Sequence, residues 1–397
     1  MAVSSADVSG PKRGSLINDP KIRGFIYQFV LVALLAFLVY GAASNAIENL
    51  RAARIASGFG FLNQPAGFDV NQKLVPFSSS GSTYADAFFV GLLNTLLVAA
   101  IAVVLATVLG FAVGVARLSQ NWIVAKLATV YVECVRNVPL LLQLFIWYNA
   151  VLKPLPGPRQ SLELGAGTYL NSRGLFIPQP LFGERFGWVW IGLAVAIAGA
   201  YLFHRWAYRQ QLATGRQYPV VRIALGLIIG LPLVIYFLIG QPMTFNYPEL
   251  RGFNFAGGIQ VFPEFVALLI GLSTYTAAFI AEIVRAGILS VSRGQTEAAY
   301  ALGLHSSPTL RLVVVPQAMR VIIPPLTNQY LNLVKNSSLA VAIGYPDLVQ
   351  VFMGTVLNQT GQAVEVIAIT MAVYLAISIV TSLLMGIYNR RMAIVER

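Results

Sequence analysis

The chain has 397 residues, of which 57% are hydrophobic and 11% are charged. A water-soluble globule of this length could not bury so much apolar surface, so the composition excludes soluble classes and indicates a membrane protein with several spans. Basic loops beside a membrane account for the formal net charge of +12, so no nucleic-acid partner is needed to explain it.

The first predicted membrane helix follows a polar, basic tail. Residues 25 to 43 carry no charge, and at about 1.5 Å per residue this run nearly crosses a hydrocarbon core of about 30 Å. A cleaved signal peptide is the alternative, because basic residues precede the run and small residues end it. The apolar run exceeds the usual length of a signal peptide, which favours a retained anchor.

The second predicted span covers residues 88 to 116 and follows a turn-rich aqueous loop over residues 44 to 85. Gly91, Gly110 and Gly114 interrupt this span, as in membrane helices that pack closely against others.

The third predicted span lies within residues 131 to 148, and Pro139 suits its first turn. Glu133 and Arg136 are spaced to pair on one helix face. An alternative places Arg136 and Gln143 near a polar pathway through the bundle. The single cysteine, Cys134, can form neither an intrachain disulfide nor a thiolate metal cluster, and we expect it to be buried.

A long segment in the middle of the chain is predicted to be a pair of membrane helices between irregular aqueous loops. The helices cover residues 188 to 206 and 223 to 240, with a basic connection between them. Residues 153 to 187 are rich in Pro and Gly and residues 241 to 262 form the second loop.

The last three predicted spans complete an all-α polytopic fold of about eight transmembrane helices. The sixth covers residues 265 to 283, and Glu282 and Arg285 near its end are spaced to form a structural pair. The seventh begins near Val321, and Pro324 and Pro325 should kink or delay it. Residues 336 to 364 are expected to form a loop or surface helix, and the eighth span covers residues 366 to 387.

The positions of the basic residues predict that both termini are cytoplasmic. In that topology most of the 27 Lys and Arg residues lie on the inside, in agreement with the positive-inside rule. The same topology places the polar segment from Gly294 to Pro316 in the cytoplasm. This segment reads as a short helix, a break at Gly303, and a second helix limited by Pro308 and Pro316.

Motifs for chemistry are absent from the sequence. It contains no phosphate-binding G-x-x-x-x-G-K-[ST] motif and no H-E-x-x-H motif, and its two histidines, His204 and His305, are far apart. We therefore expect no metal site and no catalytic residue, and any energy for transport must come from another protein.

A specific resemblance rests on the polar segment. Glu297-Ala298-Ala299, followed by Gly303 and by Val313-Val-Val-Pro316, resembles the EAA signature of bacterial ABC importer permeases. The flanking stretches Ala281 to Ile288 and Lys335 to Leu339, and Arg136-Asn-Val-Pro139 upstream, are similar to the branch that imports polar amino acids. The closest similarity is to the long permease subunits of general L-amino-acid importers.

The resemblance implies a type I ABC importer transmembrane fold with added segments. Residues 1–83 would hold a cytoplasmic tail, an extra first helix and a periplasmic loop. Residues 84–390 would form the permease domain, interrupted by an inserted helical hairpin at about 153–261. The chain would lie in the bacterial inner membrane, with both termini in the cytoplasm.

The resemblance also implies the partners and their cofactors. A cytoplasmic ABC ATPase dimer would bind ATP and Mg, and this chain itself would bind no cofactor. A second homologous permease subunit and a periplasmic substrate-binding protein would complete an importer of L-amino acids, surrounded by lipid. The ATPase would dock on the coupling residues, which are Glu297, Ala298, Ala299, Gly303 and Pro316.

The transport pathway has its own candidates, because polar side chains within a membrane are costly unless they find partners or water. They are Gln143, Asn328, Asn332 and Lys335. The alternative for each is a hydrogen bond between helices.

Three other functions are weighed at this point. An ion-coupled secondary transporter would need a carboxylate within the membrane or an internal repeat, but Glu133 and Glu282 fall near predicted span ends. An ABC permease for another small polar solute fits the same motifs. A membrane scaffold that transports nothing would leave the Glu297-Ala-Ala spacing unexplained.

Overall fold

The computed structural model describes residues 20–52 and 58–392, and within these ranges most residues are helical. The helices are α1 (Pro20–Ala52), α2 (Tyr84–Ala116), α3 (Trp122–Asn137), α4 (Leu140–Phe145), α5 (Gly187–Thr214), α6 (Val220–Leu238), α7 (Pro263–Leu289), α8 (Arg293–Ala301), α9 (Ser306–Thr309), α10 (Val315–Asn336), α11 (Leu357–Thr360) and α12 (Ala363–Met392). The strands are β1 (Leu162–Gly165), β2 (Thr168–Asn171), β3 (Gly174–Ile177), β4 (Gln179–Phe182), β5 (Met243–Asn246), β6 (Glu249–Arg251), β7 (Asn254–Ala256) and β8 (Ile259–Val261).

The helices agree with the predicted number of membrane spans. Within the described residues, 7 helices are long and apolar enough to cross a membrane. A bent pair, Trp122–Asn137 with Leu140–Leu152, raises the number to as many as 8. The predicted fold class, an all-α polytopic membrane protein, is therefore confirmed.

The helices α2 and α7 pack against each other at the centre of the bundle. The first turn of α2 is closed by a capping box, in which Thr83 and Asp86 each accept a hydrogen bond from the other's backbone amide. Farther along, a Cβ atom built on Gly110 would lie 2.6 Å from Cβ of Ile280. One built on Gly114 would lie 2.8 Å from the carbonyl oxygen of Ala281. The two glycines thus allow backbones to approach more closely than side chains would permit.

The third span is broken rather than straight. Between α3 and α4 the chain bends by 103° at Val138 and Pro139. Proline lacks an amide donor, and the residue before proline disfavours helical backbone angles, so the break falls where the sequence demands it. A π turn, Ile146–Leu152, continues α4.

The seventh span begins earlier than predicted, and the prediction that the preceding helix ends at Pro316 was wrong. A single candidate span runs over Ser306–Ile343. Pro308 lies in the first turn of α9, where no intrahelical donor is required. A π turn over Leu310–Val314 precedes Pro316, and the amide of Val315 bonds to the carbonyl of Leu310. Pro324 and Pro325 lie inside α10 without ending it.

The central insert holds strands that the sequence analysis did not predict. The prediction of irregular loops at 153–187 and 241–262 was wrong for eight short stretches. Four of these form an antiparallel sheet in the order β1-β2-β3-β8, and two smaller ladders pair β4 with β5 and β6 with β7. Each strand is only three or four residues long. The alternation of apolar and polar residues along it is therefore too short to be recognised among the surrounding Pro and Gly residues. Between the strands, α5 and α6 form the predicted hairpin, with Gly192 against Ile235.

Two further predictions failed on burial. The segment after Lys335 is not a surface element, because Tyr345, Leu348 and Phe352 are fully buried against the bundle. Cys134 is exposed rather than buried. In both cases the local composition is apolar, and only the packing of neighbouring helices decides which face is covered.

The close approach of α2 and α7 predicts the effect of adding one methyl group. Gly110→Ala should lower the free energy of unfolding by about 1–3 kcal/mol, because its Cβ would overlap Ile280. Gly226→Ala is the matched control, since nothing lies within 4 Å of its Cβ position and alanine favours a helix. Thermal unfolding of the purified protein in one detergent measures both. Equal stability of the two variants would contradict this packing.

Candidate functional site

A carboxylate at one end of α7 collects three arginines from separate positions in the chain. Glu282 accepts hydrogen bonds from Arg117, at the end of α2, and from Arg285, whose Nη2 lies 2.7 Å from Oε1. Nη1 of Arg136 lies 3.7 Å from Oε2 of Glu282. Three guanidinium groups therefore face one carboxylate, and the cluster ties α2, α3 and α7 together at this end of the bundle.

The structure pairs Arg136 with a different carboxylate from the one that the sequence suggested. Arg136 was predicted to be able to pair with Glu133 on the same helix face, but its carboxylate partner among the described residues is Glu282. Glu282 and Arg285 are in contact, as their spacing allows, and their structural role stays a prediction.

A cavity of about 220 Å³ opens between α7 and α10. Side-chain amides and aromatic rings share its wall. The lining residues are Tyr275, Thr276, Phe279, Gln329, Asn332 and Asn336. Amides can both donate and accept hydrogen bonds, so the cavity can hold a small polar molecule.

The helix α10 presents a polar stripe on the surface of the chain. Asn328 and Asn332 are exposed, and Lys335 continues the stripe and is also exposed. Their spacing places them on one face of a helix. Placing such side chains in lipid costs free energy. This face therefore requires another polar surface packed against it, which the single chain does not supply. The role of the three residues in a pathway stays a prediction.

Lys335 also borders a separate cavity. This cavity, of about 370 Å³, lies between α10, α12 and the turn Val349–Val356, and Tyr374 forms part of its wall. Lys335 is therefore not a lining residue of the cavity that Asn332 borders.

Gln143 lies at the bend of the third span. Its Nε2 atom donates to the carbonyl oxygens of Val135 at 2.8 Å and Val138 at 2.9 Å. These carbonyls lose helical partners at the break, so the amide satisfies them. This geometry matches the alternative of a structural hydrogen bond, and contact with a transported solute stays a prediction.

The polar segment forms a compact helix with a defined end. The amide of Gly303 donates to the carbonyl of Tyr300 at 2.9 Å, and the amide of Leu304 donates to that of Ala299 at 3.1 Å. Gly303 has a φ of 80°, which glycine adopts without strain. This is a Schellman motif, and it accounts for the break that the sequence predicts at Gly303.

The candidate coupling residues do not all face outward. Glu297, Ala298 and Gly303 are exposed, whereas Ala299 is buried inside the chain. Pro316 is half-buried at the start of α10. Leu302 was not among the predicted coupling residues, yet its side chain is 83% exposed at the tip of the segment. An apolar residue beside a predicted helix break is the signal that could have found it.

A buried carboxylate lies in the segment after α10. Asp347 is fully buried, with Oδ1 2.8 Å from the amide of Gln350 and Oδ2 3.3 Å from the hydroxyl of Tyr374. Burial raises the pKa of Asp347 to about 7, despite these hydrogen bonds. It is the single acidic residue between Glu297 and Glu365, and this isolation in the sequence could have identified it as a candidate functional residue.

Asp347 is held where it is by contacts between its neighbours and α2. The amide of Leu348 donates to the hydroxyl of Thr95 at 3.0 Å. The side chain of Asn94 donates to the carbonyl of Pro346 at 2.9 Å. Gly91 leaves room for the backbone of Leu348, because a Cβ there would lie 2.9 Å from its Cα.

No group of three or more His, Cys, Asp or Glu side chains in residues 20–52 and 58–392 is arranged to hold a metal ion.

Comparisons with known proteins give a consistent result. The family described as binding-protein-dependent transport system inner membrane component matches residues 106–394. The general L-amino acid transport system permease protein AapQ of Rhizobium johnstonii is 53% identical over 96% of this chain and 95% of its own length. YhdX of Escherichia coli, named as an amino-acid ABC transporter permease, is 52% identical over 97% of this chain and 98% of its own length.

A third relative differs more in sequence over a similar extent. The glutamate/glutamine/aspartate/asparagine transport system permease protein BztB of Rhodobacter capsulatus is 41% identical over 98% of this chain and 98% of its own length. The similarity therefore includes the inserted hairpin as well as the polar segment.

The arginine cluster predicts that removing its one carboxylate weakens the fold. Glu282→Gln should lower the free energy of unfolding by about 1–3 kcal/mol, because two guanidinium groups lose their anionic acceptor and a third loses a nearby negative charge. Glu133→Gln is the control, since Glu133 is exposed and has no ion pair among the described residues. Thermal unfolding in the same detergent compares them. An equal effect of both substitutions would rule out a structural role for the cluster.

The burial of Asp347 predicts a pH dependence of stability. The pKa of Asp347 is about 7 in the folded chain, against 3.8 for the group in a peptide. Between these two pH values the folded state binds more protons than the unfolded state. The contribution of this residue to the free energy of unfolding therefore falls as pH rises from about 4 to about 7. Asp347→Asn should abolish that part of the dependence. Unfolding temperatures at pH 5 and pH 7.5 measure it, and an unchanged difference in the variant would contradict the burial.

Proposed function

The chain belongs to the family of binding-protein-dependent transport system inner membrane components, and on that premise we propose that it is a transmembrane subunit of an ATP-driven importer of L-amino acids. The names of its relatives support the substrate class. The single observation that carries the mechanism is the exposed polar stripe of α10. A helix of this kind needs a polar cover, which a second permease subunit supplies across a shared pathway.

The segment Arg293–Ala301 with its Schellman end is the proposed site of coupling to an ATPase. Glu297 is exposed and can pair with a basic group, and Leu302 offers an apolar side chain to a pocket. Ala298 lets the partner approach the helix closely, whereas Ala299 packs the helix against its own chain. Pro316 and the π turn before it join this helix to α10.

Movement at this segment reaches the pathway through continuous structure. Gln295 in α8 accepts a hydrogen bond from Gln317 in α10 at 3.2 Å, so the two helices are joined at their beginnings. A rotation imposed on α8 would therefore move α10 and its polar stripe. ATP and Mg would be bound by an ATPase dimer in the cytoplasm, and solute would arrive on a periplasmic binding protein.

The proposed orientation places both termini and α8 in the cytoplasm of a bacterial cell, as the distribution of basic residues indicates. The strands of the insert would then lie on the periplasmic side. The permease domain would cover residues 84–390, with the hairpin inserted at about 153–261.

The coupling assignment predicts a loss of ATPase binding. Glu297→Lys combined with Leu302→Asp should reduce copurification of the ATPase at least tenfold. The first substitution reverses a charge, and the second replaces an apolar side chain with a charged one. Glu163→Lys is the matched control, because Glu163 is exposed on β1, far along the chain from α8. Copurification and ATP-dependent uptake into vesicles are measured together.

The coupling assignment would be wrong if the double variant bound the ATPase as well as the control did. Failure of the unaltered complex to accumulate any L-amino acid with ATP and the binding protein would instead overturn the proposed function. Uptake of a sugar or peptide alone would overturn the substrate class.

A further inference from the structure

The three arginines around Glu282 are not equivalent. Arg117 and Arg285 hydrogen-bond to opposite oxygens of the carboxylate, Oε2 and Oε1. Arg136 stays 3.7 Å from Oε2, beyond hydrogen-bond distance. The carboxylate is therefore already neutralised by two close partners, and Arg136 carries a surplus positive charge.

Arg136 lies beside the break in the third span, on the cluster that ties α2, α3 and α7 together. It is in the last turn of α3, two residues before Val138 at the bend. Nearby, the hydroxyl of Tyr131 donates to the carbonyl of Thr274 at 2.7 Å, and Val132 packs against Ala278. The helix α3 thus crosses the middle part of α7 before its last turn places Arg136, which is exposed, beside Glu282 nearer the end of α7.

The side chain of Arg136 contacts a residue that lines the cavity between α7 and α10. Its Cζ atom lies 4.9 Å from the ring centroid of Phe279, in a cation–π arrangement. Phe279 lines the cavity together with the amides of Gln329 and Asn332. No carboxylate lines this cavity among the described residues, so no negative charge on its wall would repel an anion that entered it.

We propose that Arg136 binds the carboxylate of the transported solute in the cavity between α7 and α10. The proposal rests on the function proposed above and names a specificity residue for it. The planar guanidinium presents paired donors that match a carboxylate. Phe279 holds the guanidinium in place through its ring face, and Asn332 and Gln329 hydrogen-bond the other polar groups of the solute.

The position of Arg136 explains how the solute could pass without being trapped. The interaction with Glu282 at 3.7 Å is loose, so the guanidinium can exchange between the solute and this carboxylate. Its side chain is 39% exposed, which leaves it open to a ligand, whereas that of Arg117 is only 10% exposed.

The test uses the whole complex in nanodiscs, without the binding protein, and measures binding of L-glutamine and of L-glutaminamide, which lacks the carboxylate. The unaltered complex should bind L-glutamine at least tenfold more tightly than the amide. Arg136→Gln should weaken L-glutamine binding about tenfold or more and leave amide binding unchanged, so that the preference disappears. Arg136→Lys should recover part of the preference, because a lysine keeps the charge but not the paired donors.

Two further variants keep the result interpretable. Arg285→Gln removes a different cation from Glu282 and should retain the preference for the carboxylate, although it lowers stability. Asn332→Leu alters an exposed position, so the protein should fold, and it should weaken binding of both compounds. If Arg136→Gln proves unstable, the comparison of Arg136→Lys with Arg285→Gln decides the question.

A preserved preference in Arg136→Gln or an unchanged one in Arg136→Lys would overturn the proposal, as would equal binding of both compounds by the unaltered complex. Uptake of L-glutamine by the unaltered complex, driven by ATP and the binding protein, is measured in parallel. If the unaltered complex takes up neither L-glutamine nor any other L-amino acid, the proposed function is wrong. If uptake succeeds and the preference is independent of Arg136, only the present inference is wrong.

Discussion

Polar groups inside an apolar bundle must be satisfied by other groups of the protein, and in this chain α7 is the helix around which they are paired. Near its beginning, Glu264 accepts a hydrogen bond from the hydroxyl of Tyr148 at 2.7 Å. Near its end, Glu282 accepts from two arginines. Between these points α7 borders the polar cavity. Because unpaired polar groups cost several kcal/mol in a membrane, these contacts fix where α2, α3 and α4 can lie.

The same helix connects the two ends of the molecule. The strand β8 ends at Val261, two residues before α7 begins, and pairs with β3 of the insert. At the other end, α8 begins four residues after Leu289. A displacement of the proposed coupling helix and one of the inserted strands would therefore act on a single rigid element. In the proposed importer, this gives the added insert a mechanical connection to the pathway.

Discontinuities in the helices coincide with the candidate sites. The bend at Val138 lies beside Arg136, and the π turn Leu310–Val314 lies between the proposed coupling segment and α10. Irregular backbone within a membrane protein is tolerated where side chains or a cavity satisfy it, as Gln143 does at the bend. Such breaks allow parts of a span to move separately, which a transport cycle requires.

Much of the architecture followed from composition and local sequence. Long apolar runs predicted about eight spans, the position of Gly303 predicted a break in the polar segment, and the Glu297-Ala-Ala pattern indicated the family. These features depend on residues close together in the chain, where hydrophobicity and backbone preferences act. Short strands in the insert, and the continuation of the helix past Pro316, escaped prediction because a pairing partner or a π turn decides them.

The sequence by itself determined that this protein crosses a membrane several times, that its polar segment breaks at Gly303, and which family it resembles. The tertiary structure alone decided that Arg136 faces Glu282 and Phe279 instead of Glu133, that Gln143 caps a bend, and that Asp347 is buried. The reason is physical: apolar content and proline or glycine positions act within a few residues. The partner of a charge is set by which distant helices meet, and close contacts such as that of Gly110 with Ile280 determine that meeting.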